Sequence, residues 1–120
     1  MPGFEPWDVV RVRFPCTNRP VQRRRPALVL ARATTGAGTP PLLWVCMITS
    51  AENRPWPDDV AVSDLGEAGL PAPSVVRPAK LATIEAEVAD RIGRLPAADR
   101  HAVAAAIRTR LARVLEARHA

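Results

Sequence analysis

Three consecutive arginines, Arg23, Arg24 and Arg25, run through Pro26 into the apolar stretch Ala27-Leu28-Val29-Leu30. Proline drives the residue before it into an extended backbone, which sets Arg25 at a strand mouth instead of in a free loop. A guanidinium held there can take a phosphate bidentately, with a charge that never titrates away. A second polar group, Thr49, closes the apolar run from Leu42 to Ile48. If these two strands are antiparallel neighbours, the start of one lies beside the end of the next. Arg25 and Thr49 then converge at one sheet edge, with Ser50 and Arg54 in the loop that follows. A cation beside a hydroxyl can hold a phosphodiester and stabilise the charge that builds up in its transition state. RNA carries its own nucleophile, the 2′-hydroxyl, so this chemistry requires neither a metal nor a protein nucleophile. Plainer readings exist for each residue: the arginines as a solvated basic turn, Thr49 as a strand-end hydroxyl satisfying a turn, and Arg54 as an exposed loop charge.

Other chemistries lack their residues. There is no glycine-rich phosphate loop, no G-x-S-x-G elbow and no H-E-x-x-H. His101 and His119 both fall in the C-terminal segment, so a two-histidine nuclease would need the helix end to fold over the sheet mouth. Cys16 and Cys46 are far apart and outside metal-ligand spacing. The expectation is no cofactor, no metal, and reduced thiols in a cytoplasmic protein. The first residues have neither a basic nor an apolar signal region. No run approaches the ~18 apolar residues of a membrane span, so no membrane association is expected. The 17 Lys+Arg outweigh 12 Asp+Glu, for a net charge of +5, which favours polyanionic partners such as nucleic acid. All the basic residues but Lys80 are arginine in an Ala- and Pro-rich chain, a bias that genome composition alone can produce.

The 120 residues fit one domain, with strands over about 7–95 and a C-terminal helix over about 96–118. From Trp7 to Phe14 the alternation puts Val10, Val12 and Phe14 on one face and Arg11 and Arg13 on the other. A polar connection from Pro15 to Arg24 leads to a strand over Pro26–Ala31, and a Gly/Pro turn region to a central strand over Leu42–Ile48, buried on both faces with Trp44 in the core. After the break Pro55-Trp56-Pro57-Asp58 come a short strand at Asp59–Val62, a loop over Ser63–Pro73 and a strand around Ser74–Arg77. Thr83 can cap one helical turn through Glu87, and Ile92–Leu95 adds a last strand. From Pro96, placed at the first helical position, the period changes. Val103, Ile107, Leu111, Val114 and Leu115 share one helical face, and Asp99 complements the helix N-terminus. Five to seven short antiparallel strands plus one amphipathic helix describe a mainly β (α+β) fold, with the SH3-like small barrel as the natural candidate.

The order of these pieces resembles the MazF/PemK family of toxin endoribonucleases over nearly the whole length. Its carriers are Trp7-Asp8-Val9-Val10-Arg11-Val12-Arg13-Phe14-Pro15, Arg24-Arg25-Pro26-Ala27-Leu28-Val29-Leu30, Ile48-Thr49-Ser50 with Arg54-Pro55, Pro73-Ser74-Val75-Val76-Arg77, Lys80-Leu81-Ala82-Thr83-Ile84 and Arg91-Ile92-Gly93-Arg94-Leu95. The resemblance implies an SH3-like barrel that forms homodimers, part of a type II toxin-antitoxin system. It implies metal-independent cleavage of single-stranded RNA, leaving a 2′,3′-cyclic phosphate and a 5′-hydroxyl. Arg25 matches the arginine that acts in proton transfer and phosphate stabilisation, and Thr49 the threonine that assists at the phosphate. The loop from Cys16 to Arg24 takes the place of the segment that closes over RNA. Expected RNA-binding residues are Arg23, Arg24, Ser50, Arg54, Arg77 and Lys80. Expected partners are the RNA, a cognate antitoxin and a second copy, with DNA reached only through the antitoxin. Trp7 departs from the usual glycine, and Cys16 and Asn18 from the usual phenylalanine and aspartate.

Two other functions compete. A non-catalytic barrel that binds a protein, as gyrase-poisoning relatives do, or an inactive family member, would not need Arg25-Pro26 and Thr49 together. A general nucleic-acid binder would stack bases on aromatics, and this chain has three Trp, two Phe and no Tyr.

Overall fold

The computed structural model describes residues 3–15 and 22–117. Its elements in chain order are β1 (Asp8–Pro15), β2 (Gln22–Arg32), β3 (Leu42–Ser50), β4 (Val60–Ala61), α1 (Leu65–Ala68), β5 (Ser74–Glu85), a 3-10 turn (Ala86–Val88), β6 (Ala89–Arg94) and α2 (Ala97–Glu116). The strands form one antiparallel sheet in the order β4-β5-β3-β2-β1-β6. The expected β-rich fold with a C-terminal helix is present, as a sheet not closed into a barrel.

Alternation sets both faces of this sheet. One buries Val9, Leu28, Cys46, Ile48 and Val76 against Ala68, Leu70, Leu95 and Val103 from the helical side. The other buries Val10, Val12, Ala27, Val29, Val45, Met47 and Ile84. Each fully buried side chain of this size contributes about 1.5–3 kcal/mol. Among the described residues neither α1 nor α2 reaches the second cluster, against which Phe4, Ala82, Ala86 and Val88 pack. The face of β1 that carries Arg11 and Arg13 is therefore only partly polar, because Val9 is fully buried on it. Phe14's side chain, the loop 16–21 with Cys16 and Asn18, and His119 lie outside the described residues.

Several elements differ from their sequence reading. β2 begins at Gln22, ahead of Pro26, because Pro26 sits opposite Arg11 where the strand tolerates a missing N–H. β5 continues beyond Arg77 although Pro78 follows. Its pairing with β3 jumps from Met47↔Arg77 to Cys46↔Leu81, so Pro78, Ala79 and Lys80 form a bulge that absorbs the proline. Thr83 consequently lies within β5, and the 3-10 turn after it has no side-chain cap. The loop before β5 contains α1, where Asp64 Oδ1 accepts from the Glu67 amide and Gly69 ends the turn at φ 72. β4 shrinks to Val60–Ala61, and β6 runs earlier than expected, from Ala89 to Arg94.

Trp44 is not core. It is 55% exposed at the end of β3 opposite Thr83. Pro96 is the N-cap of α2, and Asp99, near its start, is buried and accepts from Ser63 N and Oγ at 2.9 and 3.0 Å. Only the first half of the apolar helix face packs: Val103 is buried, whereas Leu111, Val114 and Leu115 are exposed. Trp7, the residue that departs from glycine, adopts φ 76, a backbone region that favours glycine. Its N–H donates to Val29 O and its C=O accepts from Leu95 N, both at 2.8 Å, which hold it there.

Candidate active site

β2 and β3 pair from Arg32↔Leu43 as far as Ala27↔Met47. Beyond that pair both strands run on, β2 back to Gln22 and β3 forward to Ser50, and continuing the register two residues brings Arg25 level with Thr49. Pro26 has no N–H to extend the ladder there, and an open cleft of about 560 Å³ occupies the split. Arg24, Arg25, Thr49, Ser50, Arg77 and Lys80 all line it. Alternation places Arg25 and Thr49 on the sheet face of Ala27 and Met47, and Arg24 and Ser50 on the opposite face. A split between strands exposes groups from both faces to one ligand.

Arg24, Arg25 and Lys80 are exposed, and none makes a side-chain hydrogen bond or ion pair with another described residue. Lys80 reaches the cleft because the bulge in β5 throws it out of the ladder. Five cations, Arg11, Arg24, Arg25, Arg77 and Lys80, line the cleft with no carboxylate among its lining residues, a charge balance that favours an anion there.

The Thr49 hydroxyl is oriented by a residue absent from the sequence reading. Asn53 Nδ2 donates to Thr49 Oγ1 at 2.6 Å, and Asn53 also lines the cleft. With its oxygen accepting that bond, the hydroxyl's own proton is directed elsewhere and can be donated to a phosphate oxygen. The turn from Ser50 to Asn53 is set locally: Ser50 O accepts from Asn53 N, and Ser50 Oγ from Glu52 N at 3.2 Å. A serine starting a tight turn is a legible signal; the side chain of its fourth residue returning to the strand is not.

Two of the expected RNA contacts are not free cations of the cleft. Arg77 is buried, and its Nε and Nη2 donate to Asp59 Oδ1 and Oδ2 at 3.1 and 3.0 Å. Burial would raise the Asp59 carboxyl, but hydrogen bonds from Arg77 and the Trp56 amide, with the Arg77 charge, outweigh it and hold Asp59 below its ordinary value. Arg54 does not line the cleft; its carbonyl accepts from Arg77 Nη2 at 2.9 Å. Arg23 belongs to β2, and its side chain lies outside the described residues. Cys46 lies in the core, where burial pushes its thiol up to about 12, too high for a nucleophile at neutral pH. Among the described residues no group of three or more His, Cys, Asp or Glu side chains could hold a metal ion, and no helix is long and apolar enough to cross a membrane.

The fold is one open antiparallel sheet with a C-terminal helix, and a cleft lined by basic residues sits where the pairing of β2 with β3 ends. The family model of the PemK-like, MazF-like toxins of type II toxin-antitoxin systems matches residues 5–111, and the chain belongs to that family. Among solved structures it is similar to MazF of Deinococcus radiodurans, with 20% identity and a TM-score of 0.65 over 90% of this chain and 96% of that one. It is also similar to a MazE-MazF crystal structure from the same organism, with 21% identity and a TM-score of 0.63 over 89% and 93%. The Mycobacterium tuberculosis toxin MazF-mt6 aligns with 25% identity and a TM-score of 0.64 over 88% and 96%. No curated protein is similar enough in sequence to count as a match.

Proposed function

We propose that this toxin is a metal-independent, sequence-selective endoribonuclease that cuts single-stranded RNA in the cytoplasm and so blocks translation until an antitoxin neutralises it. The observation that carries the reading is the cleft itself, where uncommitted Arg25 stands level with a Thr49 hydroxyl already oriented by Asn53. The 2′-hydroxyl oxygen attacks the adjacent phosphorus as its proton passes to water. The P–O5′ bond breaks, the 5′-oxygen takes up a proton, and the products are a 2′,3′-cyclic phosphate and a 5′-hydroxyl. Arg25, as a permanent cation, offsets the charge gained by the non-bridging oxygens, and Thr49 donates to one of those oxygens. Arg24 and Lys80 hold flanking phosphates, with Arg23 and Ser50 as further contacts of the bound strand, while Arg77 stays paired with Asp59 and Arg54 stands outside the cleft.

A partner of opposite charge follows from the same cations. The Deinococcus MazF was crystallised with MazE. We assign this chain a cognate antitoxin, with any contact to DNA made only through it. A homodimer is supported by Leu111, Val114 and Leu115 on α2 and by Trp44 and Leu81 on one sheet face, all exposed in the single chain.

The test is incubation with a long single-stranded transcript in EDTA, followed by analysis of the ends. Discrete fragments ending in 2′,3′-cyclic phosphate are expected. Cleavage that requires added Mg²⁺, or that persists at a site bearing 2′-deoxyribose, would sink the mechanism.

A further inference from the structure

Trp56 stands between Pro55 and Pro57 in the loop from β3 to β4, and it is 42% exposed. An exposed indole is ordinary when it is mobile, but this one is fixed. The Arg77 Cζ lies 4.3 Å from the ring centroid, a cation–π stack. Arg77 is itself gripped by both Asp59 carboxylate oxygens and by Arg54 O. Asp59 Oδ2 also accepts from the Trp56 amide at 2.9 Å, closing the circuit on the loop that carries the ring. The guanidinium covers one face of the indole, so the exposed area belongs to the opposite face and the edge. Arg77 lines the cleft, so Trp56, which is not itself in the lining, borders it through that side chain.

We propose that Trp56 is a base-stacking platform for one unpaired nucleotide of the bound RNA and a determinant of affinity and sequence choice; this rests on the ribonuclease reading above. Proteins that bind single strands combine cations along the backbone with an aromatic face for the bases. Arg24, Arg25 and Lys80 supply the first component, and Trp56 the second. A ring already held by proline neighbours and a buried guanidinium has little freedom left to lose, so a stacked base gains most of the contact energy. Trp44 is more exposed, but it lies at the other end of β3 from Thr49 and stacks on no described arginine, whereas Trp56 stacks on Arg77 of the lining.

The test uses a single-stranded oligoribonucleotide spanning a cleavage site mapped on a long transcript, with 2′-deoxyribose at the cut nucleotide so that it binds without being cut. A second set carries one abasic position each. Trp56→Ala should bind the intact strand roughly tenfold more weakly. Trp56→Phe, which keeps a ring over Arg77, should recover most of the loss. The decisive result is coupling: for one abasic position, wild type and Trp56→Ala should bind alike. If thermal melting shows Trp56→Ala to be unfolded, Trp56→Leu replaces it, keeping apolar bulk without a stacking face. Equal affinity of variant and wild type for the intact strand, with cleavage undiminished, overturns the platform alone. So does a loss that is the same for every abasic strand, since that marks a structural effect. A wild-type protein that neither binds nor cuts single-stranded RNA overturns the ribonuclease reading itself, and the platform with it.

Discussion

Asp8 in β1 and Arg94 in β6 are 86 residues apart in the chain and 2.8 Å apart in the fold. The other Asp8 oxygen accepts from Arg91 Nε at 2.9 Å and from the Glu5 amide at 2.8 Å. Asp8 is fully buried, so these bonds are what allow its charge inside. They tie the edge strand β6 to β1, whose Arg11 lines the cleft. Asp8→Ala should lower stability by about 3 kcal/mol in urea denaturation, near the lower end for a broken buried pair because both arginines can rehydrate. A loss under about 1 kcal/mol would mean that β6 is held chiefly by its ladder.

Arg25 is exposed, and its side chain makes no hydrogen bond or ion pair with another described residue. Arg25→Ala should change stability by less than about 0.5 kcal/mol, yet lower cleavage by about 10²–10³-fold, as removing a transition-state charge partner does. Urea melts and single-turnover cleavage of one substrate check the two halves together. Activity within a few fold of wild type would remove Arg25 from the chemistry.

The pairing of Asn53 with Thr49 separates orientation from presence. Thr49→Ala should weaken cleavage, though less than loss of Arg25, because a neutral hydroxyl contributes less than a cation. Thr49→Ser should retain most activity. Asn53→Ala should fall between wild type and Thr49→Ala, and the double variant should be no worse than Thr49→Ala alone. Additive losses would show that Asn53 acts on RNA independently of Thr49.

The Arg77–Asp59 pair predicts an acid limb. Asp59 is held below its ordinary value of 3.8, so its contribution to stability is complete above that value and is lost as pH falls through the depressed one. Asp59→Asn should therefore be less stable than wild type at neutral pH, with the gap closing below about pH 4. Stability measured against pH for both proteins tests this. A gap that stays constant down to pH 2 would remove the ion pair as its cause.

If RNA and antitoxin use the same cations, Arg24→Glu with Lys80→Glu should weaken both, and both losses should shrink as salt rises. A competition titration with an uncleavable RNA is the direct measurement. Undiminished RNA binding by toxin saturated with antitoxin would refute a shared surface.

Local sequence carried much of this protein. The Val/Arg alternation of β1, the apolar run of β3 and the antiparallel logic joining Arg25 to Thr49 are consequences of side-chain period and of proline, which act over a few residues. α1 goes unread within the loop Ser63–Pro73, although Asp64 followed three residues later by Glu67 is a local signal for it. What the chain could not declare depends on partners distant in sequence. Pro78 reads as a strand end, and only pairing with β3 shows that a bulge absorbs it and aims Lys80 at the cleft. Trp44 reads as core because its neighbours are apolar, whereas exposure depends on whether anything packs over that end of β3. Arg77 reads as a free cation until Asp59 and Trp56 close around it. Sequence pattern determines which way a side chain points from its own strand; the tertiary structure alone decides what it meets there, because burial and charge pairing belong to surroundings that the local chain does not contain.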